Sequence, residues 1–294
     1  MATIVESVAA AVGRPHRVRT GGARHLAGAA ARQALRRAGL AACDVDLLVN
    51  AGLYHERNMG EPALAALIQE DIGANPEDPH PGGHGTFSFD VANGACGMLT
   101  GLQIADGFVR AGTVRHALVV ASDAHPGRHT AHRFPFRPAA AAIVCGAAPG
   151  DRGLAGFRFA QRDGTEPDLR ARVAFAGGRN VLSVEAAPGT AAAATACAAG
   201  VVSALLADLG VTPGEVDLVV ANPLDPDGHA RLVDATGLPA GALVTVPAAA
   251  HVHTAGLGLA LDRGLAAAGS LEGRTILLVS TGAGPVAGAA LLRQ

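Results

Sequence analysis

The stretch Phe89–Asp90–Val91–Ala92–Asn93–Gly94–Ala95–Cys96–Gly97–Met98–Leu99 decides how this chain reads. A strand-like apolar run meets small residues, then a cysteine, then an apolar helical pattern that continues to about Arg110. A thiol delivered this way sits at a helix N-terminus, where unpaired backbone N–H groups favour the thiolate. Such a thiol suits covalent acyl chemistry, provided a base and an oxyanion site converge on it. The plain alternative is a buried structural thiol, which is the expectation for Cys43, Cys145 and Cys197.

Outward from Cys96, Phe87–Val91 reads as the strand leading in and Val114–Ser122 as a strong strand leading away. Towards the N-terminus, Thr3–Val8 is a strand candidate. Gly21–Gly39 carries a helix pattern, with Leu26, Ala30, Ala34 and Leu35 on one face and Arg32, Arg36 and Arg37 on the wet side. Gly39 closes it. Asp44–Asn50 is a turn and buried strand, Glu61–Asp71 a helix bounded by Gly73, and Ala74–Gly85 a loop.

The later half repeats the order. Ala192–Leu209 is a helix closed by Gly210, and Asp217–Asn222 is a strand echoing Asp46–Asn50. Gly228–Gly237 is a short helix, Ala242–Val246 a strand, His253–Ala268 a helix and Thr275–Ser280 a strand. The glycine turn Thr281–Gly284 and a last strand Val286–Leu292 follow. Alternating helices and strands predict α/β layers with mostly parallel sheets. The echo predicts an internal duplication, with halves at 1–160 and 161–294 meeting in the loop-rich region Gly150–Gly178.

The chain has 294 residues, 49% of them hydrophobic, enough for a large core in one big domain or two fused ones. Only 16% are charged and the formal net charge is −2, so no basic surplus points to nucleic acid. The four cysteines have no metal-finger spacing. Glu6 interrupts any secretory signal, and the runs Ala139–Ala148 and Ala186–Ala199 are too short or too broken to span a bilayer. A soluble cytoplasmic protein with reduced thiols is the expectation, with no membrane partner. His80 and His84, and His125, His129 and His132 near Asp123, invite comparison with a zinc cluster, but no compact ligand motif is present. A histidine-rich surface loop is the better reading, and no metal is expected.

The stretch Asp90–Asp123 resembles the active-site region of the β-ketoacyl-acyl-carrier-protein synthase III family of the thiolase-like superfamily. There a cysteine follows an apolar strand and opens a long buried helix, and a valine-rich strand ending near Ser-Asp follows. The segments Asp44–Asn50 and Asp217–Asn222 resemble the core strands of its two halves, and Gly282–Gly284 its C-terminal glycine turn. The resemblance is weakest over Ala124–Gly178. It implies a thiolase-like α/β fold, two similar halves in αβαβα layering, usually a homodimer. It also implies an acyl group taken onto Cys96 from an acyl carrier protein or coenzyme A thioester, with no tightly bound cofactor.

The family's histidine would fall just after Asp217–Ala221, where this chain has Asn222. Its asparagine would fall before the helix His253–Ala268, where this chain has His251 and His253. The set becomes Cys96, Asn222 and His251, with His251 the nearer match by register and His253 and Asp225 as second choices. Gly282 and Gly284 would position the thiol and help the oxyanion. Arg128, Arg133 and Arg137 would touch a phosphopantetheine or coenzyme A phosphate. A Cys–His pair forms and resolves an acyl-cysteine wherever the imidazole converges on the sulfur. Decarboxylating a malonyl thioester needs the altered donor pair. The main expectation is therefore acyl transfer to a small acceptor. Decarboxylative carbon–carbon condensation, or a non-catalytic partner in a heterodimer, is the alternative.

Overall fold

The computed structural model describes residues 1–13, 22–75, 85–127, 129–132, 134–150, 152–161, 169–186, 191–222, 226–247, 252–282 and 286–294. Its first half runs β1 (Ala2–Val12), α1 (Ala23–Ala38), β2 (Leu47–Asn50), α2 (Leu64–Ile72), β3 (Phe87–Asp90), α3 (Gly97–Arg110), β4 (His116–Asp123), β5 (Ala131–His132) and β6 (Ala139–Ala148). The second runs β7 (Gly153–Gln161), β8 (Leu169–Ala176), β9 (Arg179–Ala186), α4 (Ala191–Leu209), β10 (Leu218–Ala221), α5 (Pro226–Thr236), β11 (Leu243–Thr245), α6 (Gly256–Ala268), β12 (Thr275–Gly282) and β13 (Val286–Arg293).

The duplication is visible strand for strand. One sheet has the order β1-β6-β4-β2-β3 and the other β7-β13-β12-β10-β11. In each, three strands are parallel and the next two alternate in direction. The sheets are thus mixed rather than mostly parallel. Only residues 283–285 separate β12 from β13, a connection short enough for an antiparallel partner alone. Strand β7 pairs with β13, so it lies in the second sheet although all of it but Gln161 falls in the expected first half, 1–160. Even the strand entries match: Asp46 accepts the Arg115 N–H at 2.7 Å and Asp217 accepts the Thr275 N–H at 2.8 Å, each tying its strand to the neighbouring one.

Helices α3 and α6 fill the space between the two sheets, in one core with Leu99, Leu102, Val119, Leu257 and Leu278. Helices α1 and α2 cover the outer face of the first sheet. Helix α4 and the side of α5 carrying Leu232 cover that of the second. The result is the αβαβα layering. Gly39 and Gly73 end α1 and α2 in the left-handed region, with φ of 71° and 78°, where a β-carbon would be strained.

The elements between Ala139 and Ala186 are those the sequence pattern does not announce. Strand β6 opens with four alanines, good helix formers, yet it sits inside the first sheet and is buried on both faces. Its Ala140 and Ala142 pack with Ala27, Ala30, Ala31 and Ala34 of α1. On the other face, a β-carbon placed on Gly258 of α6 would come within 2.5 Å of Ala141 Cβ and 2.8 Å of Met98 Sδ. Small side chains let helices lie close on both sides, and that tertiary gain overrides local propensity. A third sheet, β5-β9-β8, stands apart from the other two.

Helix α4 is, among the described residues, long and apolar enough by composition to cross a membrane; half of its apolar window Ala192–Leu209 is buried within the protein. It packs on β7, β13 and α5.

Candidate active site

In each sheet the three parallel strands end where the preceding half-turn or loop delivers an inner helix, the usual place for a ligand site in an α/β protein. The two sets of strand ends meet. The segment before α3, carrying Cys96, touches Gly282 at the end of β12. The segment before α6, carrying His253 and Thr254, touches Asp123 at the end of β4. Asp123 and Gly282 are equivalent positions of the duplication, so the contacts are two mates of one arrangement.

Cys96 is fully buried, with φ −83° and ψ −3°, the sparsely populated bridge conformation common in active sites. Its N–H donates to the Asn93 carbonyl at 3.0 Å, and its carbonyl accepts the Thr100 hydroxyl at 3.2 Å. The Asn93 amide in turn donates to Thr100 Oγ1 at 2.9 Å, closing the turn. A β-carbon on Gly97 would lie 3.1 Å from the Ala51 carbonyl, so the helix start lies directly on the end of β2. The thiolate expected at this helix N-terminus is not the resting form. Burial pushes the thiol up to about 12, and the Cys197 thiol acts in the same direction. Desolvation disfavours the thiolate, so deprotonating Cys96 calls for a base.

Asn222 lies at the end of β10 and is 3% exposed. Its amide is clamped on the backbone of Thr281: Nδ2 donates to the Thr281 carbonyl at 2.7 Å, and Oδ1 accepts the Thr281 N–H at 3.0 Å. Asn222 therefore fixes the residue before Gly282. A β-carbon on Gly282 would lie 3.6 Å from Cys96 Sγ. The chain Asn222–Thr281–Gly282–Cys96 is continuous.

His253 is almost fully buried, its imidazole stacked on Phe136 with ring centroids 4.4 Å apart and tilted against Tyr54 at 5.3 Å. This gathers the only tyrosine and a phenylalanine from a chain with eight phenylalanines and no tryptophan. Nδ1 faces Asp123 Oδ2 at 3.6 Å, an electrostatic contact longer than a hydrogen bond. Asp123 was not among the expected site residues, nor were Tyr54 and Phe136. The available signal was an acid closing a valine-rich strand, and nothing in sequence links it to position 253.

His251, Asp225, Gly284, Arg128 and Arg133 lie outside the described residues. Arg137 is exposed. Of the arginines on α1, Arg32 donates to the Asp71 carbonyl and Arg37 to Asp262 of α6, so both are held in packing contacts. Among the described residues no group of three or more His, Cys, Asp or Glu is placed to hold a metal. His125 accepts the Gly127 N–H at 2.9 Å.

Residues 89–161 match the family model of 3-oxoacyl-[acyl-carrier-protein (ACP)] synthase III, and residues 206–294 match that of its C-terminal part. The chain belongs to the synthase III family. The β-ketoacyl-[acyl-carrier-protein] synthase III of Acidiphilium cryptum is 29% identical over 94% of this chain and 89% of its own length. That of Sphingopyxis alaskensis is 28% identical over 90% and 81%. Among solved structures, the 3-oxoacyl-(acyl carrier protein) synthase III of Pseudomonas aeruginosa superposes with a TM-score of 0.83 at 21% identity, covering 100% of this chain and 98% of that one. That of Aquifex aeolicus gives 0.81 at 19% identity, covering 99% and 100%. The fold is thiolase-like, and the synthase III chain is an enzyme of a class that works through a cysteine-bound acyl group.

Proposed function

We propose that this synthase III is a β-ketoacyl synthase in which Cys96 takes the acyl group from a carrier-protein or coenzyme A thioester. The observation that carries the reading is the buried Cys96 sulfur at the Gly282 face, with an imidazole held at the neighbouring strand end. In the loading step, Cys96 Sγ attacks the thioester carbonyl while a histidine takes its proton. The donor's C–S bond breaks and its thiol leaves with that proton. In the second step a malonyl thioester loses carbon dioxide, and the released electron pair attacks the acyl carbonyl. The ketoacyl thioester forms and Cys96 leaves as thiolate, which takes a proton from solvent. Nδ2 of Asn222 has one hydrogen on the Thr281 carbonyl and a second to offer an enolate oxygen. The names of the relatives support condensation over simple transfer. The family also implies a homodimer, and β3, with Phe87 58% exposed, offers an edge for one.

Acyl transfer to an oxygen, nitrogen or sulfur acceptor is the second reading. What favours it is Asn222, which stands where the family resemblance places a histidine and is tied to Thr281. Intact-mass analysis after incubation with acyl thioesters separates the readings. An adduct is expected on the wild type and none on Cys96→Ala. Adding malonyl thioester should then release carbon dioxide and a ketoacyl product. An adduct discharged only to small acceptors would replace condensation by transfer, and no adduct with short or long donors would overturn both.

A further inference from the structure

We infer that Asp123 is a positioning residue for His253, holding the ring proton on Nδ1 and leaving Nε2 as the basic nitrogen of the ring. This inference rests on the proposed acyl-cysteine chemistry and deepens it.

The carboxylate is fixed from four sides. Oδ1 accepts the N–H groups of Leu53 at 3.2 Å and Tyr54 at 2.9 Å. Oδ2 accepts the Thr254 N–H at 2.8 Å and the Thr254 hydroxyl at 2.5 Å. Asp123 is 1% exposed, so it cannot rotate away to water. The ring is fixed as well, stacked on Phe136 and packed by Tyr54. Nδ1 is buried and makes no hydrogen bond within the described residues, while Oδ2 faces it at 3.6 Å. A neutral imidazole with its lone pair on Nδ1 would set that lone pair against a carboxylate. With the proton on Nδ1 the contact is attractive, and a small approach makes it a hydrogen bond.

The carboxylate keeps its charge for the purpose. Burial alone would raise it, but the His253 imidazole, the Thr254 hydroxyl and the Tyr54 N–H outweigh burial and hold it at about 2. Among the described residues, the titratable groups in contact with the ring are Asp123 from β4 and Tyr54 from the segment after β2. Tyr54 is pushed up to about 12 by burial and by the Asp123 charge, so it stays neutral. His125 stands one ring further out, against Phe134.

A purely structural Asp123 would anchor the segment before α6 and leave the imidazole indifferent. Two-bond 1H–15N correlation spectra of 15N-histidine-labelled protein decide between them, with the His253 signals assigned by their loss in His253→Asn. The wild type is expected to show the Nδ1–H tautomer. Asp123→Asn should mix the tautomers. An Nε2–H tautomer in the wild type overturns the inference, and that measurement needs no variant at Asp123 to fold. In acylation kinetics, Asp123→Asn should slow adduct formation at least about tenfold with the half-saturating donor concentration unchanged. The double variant with His253→Ala should be no slower than His253→Ala alone. Losses that multiply would make Asp123 an anchor only. Absence of any wild-type adduct would strike the proposed function, while the tautomer would still decide the pair.

Discussion

Gly282→Ala tests whether the space beside Cys96 is the space an acyl carbonyl uses. The added methyl carbon would lie 3.6 Å from Cys96 Sγ and 3.8 Å from Val286 Cβ, both ordinary van der Waals contacts. Gly282 is not among the glycines with positive φ, so alanine meets no backbone strain there. Folding should therefore change by less than about 1 kcal/mol, the worth of one buried methyl group. Chemistry is less tolerant. A thioester carbon must come within about 3–3.5 Å of the sulfur, and a displacement of about 1 Å lowers a rate roughly 10²-fold. The methyl group occupies that approach. Time-resolved intact-mass spectra with a short acyl thioester should show adduct formation slowed about 10²-fold, while urea unfolding stays at the wild-type midpoint. Acylation within about threefold of wild type would show that the carbonyl arrives from another side, and Gly282 would lose its place in the site.

Asn222→Ala removes both bonds to the Thr281 backbone and should lower stability by about 2 kcal/mol in urea, because buried main-chain groups lose their partners. Unchanged stability would show that the clamp is incidental. Iodoacetamide at pH 7 should modify exposed Cys43 well before Cys96, since a thiol raised by burial from 9.0 to about 12 carries roughly 10³-fold less thiolate. Equal rates, read by peptide mass mapping, would refute the neutral resting thiol. For Asp123 the acid dependence has a definite sign. Its carboxyl is held below the ordinary value of 3.8 at about 2, so its contribution is present above pH 4 and disappears as pH falls towards 2. Urea unfolding should show about 2 kcal/mol lost across that window, and Asp123→Asn should remove the dependence.

Where a helix or strand carries its own periodicity, its place was legible from sequence. The apolar face of α1 and the Gly39 stop, the helix beginning at Cys96, and the paired segments around Asp46 and Asp217 all fall where the pattern puts them. Strand β6 was not legible, because alanine states no preference for a strand until helices pack on both faces. Strand β8 was not legible either, since Arg170, Arg172 and Phe175 are all exposed, and in β9 only Leu182 and Val184 are buried, by Tyr54 and Ala131 from distant parts of the chain.

Sequence by itself determined the layered α/β duplication and picked out Cys96, since strand-to-helix junctions and hydrophobic periods are local properties. It also pointed to Asn222 and the 251–253 segment, as positions where the resemblance places a histidine and an asparagine. Tertiary structure alone decided the burial that pushes the Cys96 thiol up, because desolvation depends on everything packed round the sulfur. It alone locked Asn222 onto Thr281, and it alone brought Asp123 to His253 across 130 residues of chain. The first contact joins two strand ends of the second half and the second joins one half's helix entrance to the other half's strand end, relations that no run of neighbouring residues encodes.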